Sequence, residues 1–169
     1  LLEMVVTANQ TGAQLYPQVS SRPIGLASGL SGYHAFQRRP TYMKLAHLPL
    51  AERAREMAKP EIKAAIMSET DVLVDQPGSM ANMYQLFQTA AMFLYPLADP
   101  VDYEPDPSEM LGSRAAATGQ DVLDLLYDYL LEQDGAAMCA LMGGPNVHDS
   151  QEVLRQMLIH PETVTGLSD

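Results

Sequence analysis

Tryptophan is absent from the 169 residues, and cysteine occurs once, at Cys139. A lone cysteine excludes an internal disulfide, and its place in the apolar run AAMCALM reads as a buried, inert thiol. Long apolar runs are missing too, and AAMFLYPLA at 90–98 is too short to span a bilayer. Positive charge is scarce beyond residue 69, where two Lys/Arg stand against sixteen acids, while residues 1–69 hold eight and five. Phosphate binding needs clustered Lys/Arg, so neither nucleic acid nor an anionic membrane is expected as a partner. The acidic excess otherwise reads as a solvated surface. Nothing demands an oxidising compartment, and a cytoplasmic setting is the expectation.

What is present is globular. An apolar fraction of 47% with 18% charged residues suits one domain of ordinary size with a real core. LLEMVV begins mid-helix by pattern, without a Met or a signal-like segment, so both ends read as cut. Asn9-Gln10-Thr11 matches a glycosylation sequon, which means little without a secretory signal.

Hydrophobic spacing orders the chain. Residues 1–10 carry a helical stripe closed by Gly12, and AQLYPQVSS at 13–21 reads as a strand with a polar end. Residues 22–42, rich in Gly and Pro, read as a long irregular loop, either functional or a flexible surface. Helices follow behind Pro49 and Pro60, then over 80–91. The Pro-rich stretch 93–107 excludes helix, although its first residues could form a strand. Ser108 is placed as the N-cap of a helix closed by Gly119. Residues 121–134 form the clearest amphipathic helix, with Val122, Leu125, Leu126, Tyr129 and Leu130 inward and Asp124, Asp128 and Glu132 outward. Asp149 or Ser150 would cap a helix ending at His160-Pro161, and 163–167 reads as a short strand running to Asp169. Two strands thus enclose a mostly helical block far longer than one crossover helix needs.

Motifs for chemistry are mostly missing. GLASG and GLSG lack the spacing of a nucleophile elbow, and no phosphate loop, dinucleotide fingerprint or H-E-x-x-H occurs. His34, His47, His148 and His160 are scattered, with no pair at ligand spacing. The eleven methionines fall mostly at helical core spacing and read as core filler. Two places remain: the polar strand end Tyr16, Gln18, Ser20, Ser21 and Arg22, and Asp169. In parallel barrels, residues at strand C-termini face the active site, so both sets would converge if their strands shared one barrel.

Five stretches in order, TGAQLYPQVSSRPIGL, PTYMKLAHLPLAERAREMAKPEIKAAIMSE, YPLADPVDYEP, ATGQDVLDLLYDYLLEQDG and HPETVTGLSD, resemble the N-acyl-D-amino-acid deacylases of the metal-dependent amidohydrolase superfamily. They span nearly the whole chain. The resemblance implies an α/β, mostly helical fold, namely the late part of a (β/α)8 barrel with a helical insertion, truncated at both ends. Residues 1–42 would supply a barrel helix, strand and active-site loop. Residues 43–160 would be mainly the insertion and barrel helices, and 161–169 the last barrel strand, all in one incomplete domain. Asp169 corresponds to the family's catalytic acid, which handles the proton of zinc-bound water and passes it to the leaving amine. It is also a candidate ligand at a second metal position.

Tyr16 matches the family's Tyr-Pro element, Ser20 and Ser21 fall near its serines, and Gln18 lies between. Arg22 would take the carboxylate of an N-acyl amino acid through its bidentate fork. Equally, Tyr16 reads as a half-buried strand residue and Arg22 as a partner in a surface salt bridge. Ser-Arg-Pro stands where better-known members are Ser/Thr-rich, which leaves D- or L-specificity and cyclic amides open. The family's zinc ligands (an early His-x-His, a bridging Cys or carboxylated Lys, and two later His) match nothing here and would lie upstream. The expectation is therefore a zinc-dependent hydrolase acting on a small N-acyl amino acid as the parent, and an inactive fragment without bound zinc. Its exposed sheet edges would favour self-association. The rival is a free-standing acidic, helical interaction module that binds a basic partner through 99–134.

Overall fold

The computed structural model describes residues 1–22, 24–76, 78–143 and 150–166. The chain is α/β and about half helical, with small sheets and no closed barrel among the described residues. It divides into two compact units, one of residues 1–25, 103–105 and 142–169, the other of 26–102 and 106–141.

In the first unit, α1 (Leu2–Gln10) ends where Gly12 adopts φ 102°, a conformation that favours glycine. The chain then enters β1 (Gln18–Val19), which pairs in parallel with β5 (Val164–Thr165), Gln18 opposite Val164 and Val19 opposite Thr165. The strand expected over 13–21 is thus two residues long, because Pro17 and the polar 20–22 stretch flank the apolar Val19. Asn9 ties the helix end to the strand entry. Its amide donates to Leu15 O at 2.9 Å, and its carbonyl accepts the Leu15 N–H at 2.8 Å. The same amide reaches Glu162 Oε2 at 3.0 Å, just before β5. The last helix, α8 (Glu152–Ile159), ends at His160 as Pro161 requires, and Ser150 Oγ accepts the Glu152 N–H at 3.1 Å. The alternative cap, Asp149, lies outside the described residues.

The second unit holds most of the helices and most of a sheet of order β2-β4-β3, with β2 (Ile24–Gly29), β3 (Leu94–Pro96) and β4 (Met138–Gly143). β3 runs antiparallel to β4, Leu94 opposite Leu141 and Pro96 opposite Cys139. One expectation fails here, and one strand was not foreseen. Residues 22–42 are not one irregular loop, since they contain β2 and the start of α2 (Pro40–Leu45). AAMCALM contains a central strand despite having no β-branched residue. Sheet pairing decides both segments, overriding a weak local preference.

Proline placement is obeyed in α3 (Leu50–Met57), preceded by Pro49, and α4 (Pro60–Ser68), opened by Pro60. A 3-10 turn leads into α5 (Tyr84–Thr89) where one helix was expected. Ser108 does not cap α6 (Leu111–Thr118). It lies in a 3-10 turn whose N–H the Asp106 carboxylate accepts at 2.8 Å, while Gly119 ends the helix at φ 72° as expected. Asp121 caps α7 (Val122–Leu131), which buries Leu126, Tyr127, Tyr129 and Leu130.

The core gathers Phe36, Met57, Leu94, Leu126, Tyr127 and Cys139 with their neighbours. Phe36 meets Tyr127 edge-on at 5.2 Å, and the Tyr127 hydroxyl donates to Met57 O at 2.9 Å. Methionine is not uniformly core filler, because Met57 is enclosed while Met4, Met80 and Met92 are exposed.

Candidate functional site

Of the polar residues singled out from the sequence, Tyr16 precedes β1, Gln18 lies in it, and Ser20, Ser21 and Arg22 follow it. Val19 turns inward at 8% exposure, while Gln18 faces solvent beside it, the period-2 alternation of a half-buried strand. Tyr16 is not half-buried but 61% exposed, and Ser21 and Arg22 are also exposed. Ser20 is partly covered, its hydroxyl donating to Arg22 O at 2.9 Å, which bends the chain as it leaves the strand.

Parallel pairing brings β5 alongside, and Val19 O accepts the Gly166 N–H at 2.7 Å. Asp169 lies outside the described residues. The structure thus sets Tyr16, Gln18, Ser20, Ser21 and Arg22 along one segment whose strand part pairs with β5. Chemically the row offers hydroxyls, an amide and a guanidinium, but no side chain that acts as a base at neutral pH. It is equipped to bind a polar or carboxylate-bearing molecule rather than to cleave one. On α1 of the same unit, Glu3, Met4, Thr7, Ala8 and Thr11 line a shallow depression wide open to solvent.

The described residues bring no three of His, Cys, Asp or Glu together as a metal cage, so they do not by themselves fit zinc.

The second unit holds a polar constellation that sequence reading missed. His34 is fully enclosed, and its Nδ1 accepts the Phe36 N–H at 3.2 Å. Its ring stands edge-on to Tyr42 at 4.4 Å, and Arg53 donates to the Tyr42 hydroxyl at 2.8 Å. Burial, with Arg53 as the lesser cause, pushes the imidazole down to about 3. Burial raises the Tyr42 hydroxyl, against the opposing hydrogen bond from Arg53. Further on, Arg39 and Asp71 meet as charges at 3.0 Å, and Gln88 donates to Asp71 Oδ2 at 3.0 Å and to Ala35 O at 2.7 Å. These groups fasten the 30–39 segment to the helices. A sequence signal existed in GYHAFQRR, which sets a histidine between two aromatics, but the arginine that meets it lies further along the chain.

Cys139 is enclosed in β4, and burial pushes its thiol up to about 12, so it is no nucleophile at neutral pH. No helix among the described residues is long and apolar enough to cross a membrane. Compared with protein-family models, curated proteins and solved structures, the chain matches none.

Proposed function

We propose that this chain is the late-barrel part, with its helical insertion, of a zinc-dependent amidohydrolase that cleaves the amide bond of N-acyl amino acids. One observation carries the reading: β1 and β5, far apart in sequence, are parallel neighbours, and β1 is entered from a helix through a glycine turn. That is the local pattern of (β/α) units, whose strand C-termini carry the chemistry. Arg22 would receive the substrate carboxylate, with Tyr16, Gln18, Ser20 and Ser21 orienting the rest. Asp169 would move the proton from the attacking water to the leaving amine. The zinc ligands belong to residues outside this chain, so the activity is that of the longer protein.

The test begins with the coding sequence that precedes Leu1, which should encode a His-x-His and two later histidines. The full open reading frame should bind zinc and hydrolyse N-acetyl amino acids. Asp169→Asn should lower kcat by about 10²–10⁴-fold, and Arg22→Ala should chiefly raise KM. A reading frame without those histidines, or full turnover in Asp169→Asn, overturns the proposal.

A second reading, an acidic module that takes a basic partner through 99–134, is favoured by the second unit's possession of its own core. Lys63 weakens it, since its ammonium already bonds Asp124 at 2.7 Å and Asp128 at 2.6 Å on the acidic face of α7. A lysine-rich peptide that binds the chain at low salt and loses affinity in Asp124→Asn would support the module. Absence of binding at low salt would dismiss it.

A further inference from the structure

His34 lies between β2 and α2 and is wholly enclosed. Because Nδ1 accepts the Phe36 N–H, the neutral ring carries its hydrogen on Nε2, which meets no hydrogen-bond partner among the described residues. Among the described residues, the titratable and charged groups against the ring are Tyr42 from α2 and Arg53 from α3. Neither supplies negative charge, and no described carboxylate bonds it. An imidazolium in this place would be desolvated, would stand beside a second cation, and would lose the acceptor that holds Phe36.

We propose that His34 is an acid-sensitive latch: its neutral ring seals the 30–39 segment against the core of its unit, and its protonation on opening holds that segment released. The enclosed ring resists protonation down to about 3, while a released ring takes its proton at the ordinary 6.5. The opened state therefore binds more protons throughout that window. The stability contribution is complete above the window and is lost as pH falls through it. Between pH 7 and pH 5, His34 alone raises the opening equilibrium about 25-fold. Aspartates and glutamates of ordinary pKa contribute little over the same interval. Release also undoes the Gln37 side-chain bond to Ala81 O and the Gln88 bond to Ala35 O, so the connection loosens together.

The test is amide hydrogen exchange on the chain at pH 7 and pH 5, corrected for the intrinsic pH dependence of exchange and read at the Phe36, Gln37 and Arg39 amides. Protection should fall about 25-fold in the native protein and stay nearly constant in His34→Gln. Should that variant fail to fold, ring-nitrogen NMR of the native protein decides, with assignments from His47→Gln, His148→Gln and His160→Gln. The His34 ring should remain neutral, with its hydrogen on Nε2, to pH 4. Protection that is unchanged between the two pH values, or a His34 ring titrating near 6.5 in the folded chain, overturns the latch.

Discussion

Arg53 donates to the Tyr42 hydroxyl at 2.8 Å, and its guanidinium carbon stands 5.9 Å from the centre of the same ring. The same guanidinium reaches Leu30 O at 2.9 Å and Leu48 O at 3.2 Å. One side chain therefore fixes the end of β2, the middle of α2 and the turn before α3. Arg53→Met removes every one of these donors and should destabilise the second unit by about 2–4 kcal/mol. Tyr42→Phe loses one bond and should cost about 1 kcal/mol. Arg53→Lys should recover less than half the loss, because an ammonium cannot reproduce the fork. Urea unfolding orders the three, and equal losses for Arg53→Met and Tyr42→Phe would refute the multiple anchoring.

Two glycines past helix ends look alike in sequence and should behave differently. Gly119 has φ 72° with open space where a Cβ would go, so Gly119→Ala should cost about 1 kcal/mol from backbone strain alone. Gly135 has φ 85°, and a Cβ there would stand 3.0 Å from Ala54 Cβ and 3.3 Å from Leu30 Cδ1. Gly135→Ala adds crowding to strain and should cost about 2–4 kcal/mol. Thermal unfolding of the pair separates the terms, and equal shifts would show that the core yields around residue 135.

The contrast between these glycines marks what sequence could and could not convey. Helix ends at Gly12, Gly119 and His160-Pro161 were legible because backbone conformation is encoded at single residues. The amphipathic face of α7 was legible because burial imposes a 3.6-residue period. β2 and β4 were not, since segments with at most one β-branched residue became strands through partners distant in the chain. The polar row from Tyr16 to Arg22 was legible as a row, yet the brevity of β1 and the exposure of Tyr16 were not. The His34–Tyr42–Arg53 constellation joins three segments by ring contact and hydrogen bonds across the fold, which no local pattern announces.

Asn9 matches a glycosylation sequon, yet its carboxamide is spent at both ends on Leu15 and Glu162. Asn9→Ala should loosen α1 from the β1 entry and cost about 1–2 kcal/mol, seen as faster exchange of the Leu15 and Val164 amides. Asn9→Asp keeps the acceptor for Leu15 N–H but sets a carboxylate against Glu162. Its penalty should exceed that of Asn9→Ala at pH 7 and shrink as the carboxylates protonate below about pH 4. A penalty independent of pH would mean that Glu162 swings away.

Cys139 offers a direct reading of how often the central strand opens. Its sulfur lies in β4 between two other strands, and burial, partly offset by Arg114 and reinforced by Glu132, pushes the thiol up to about 12. Thiolate is the reacting species, so at pH 8 the folded protein should be labelled by a disulfide reagent at least about 10³-fold more slowly than a free cysteine. In urea the ordinary rate should return. Leu94, fully enclosed and set opposite Leu141 in the β3–β4 register, belongs to the same core. Leu94→Ala should cost about 2–4 kcal/mol and speed native labelling by the corresponding factor, about 30- to 1000-fold, if the thiol is reached through opening of the core as a whole. Faster unfolding in urea with unchanged labelling would instead place the opening in β4 itself, uncoupled from the helices that pack on it.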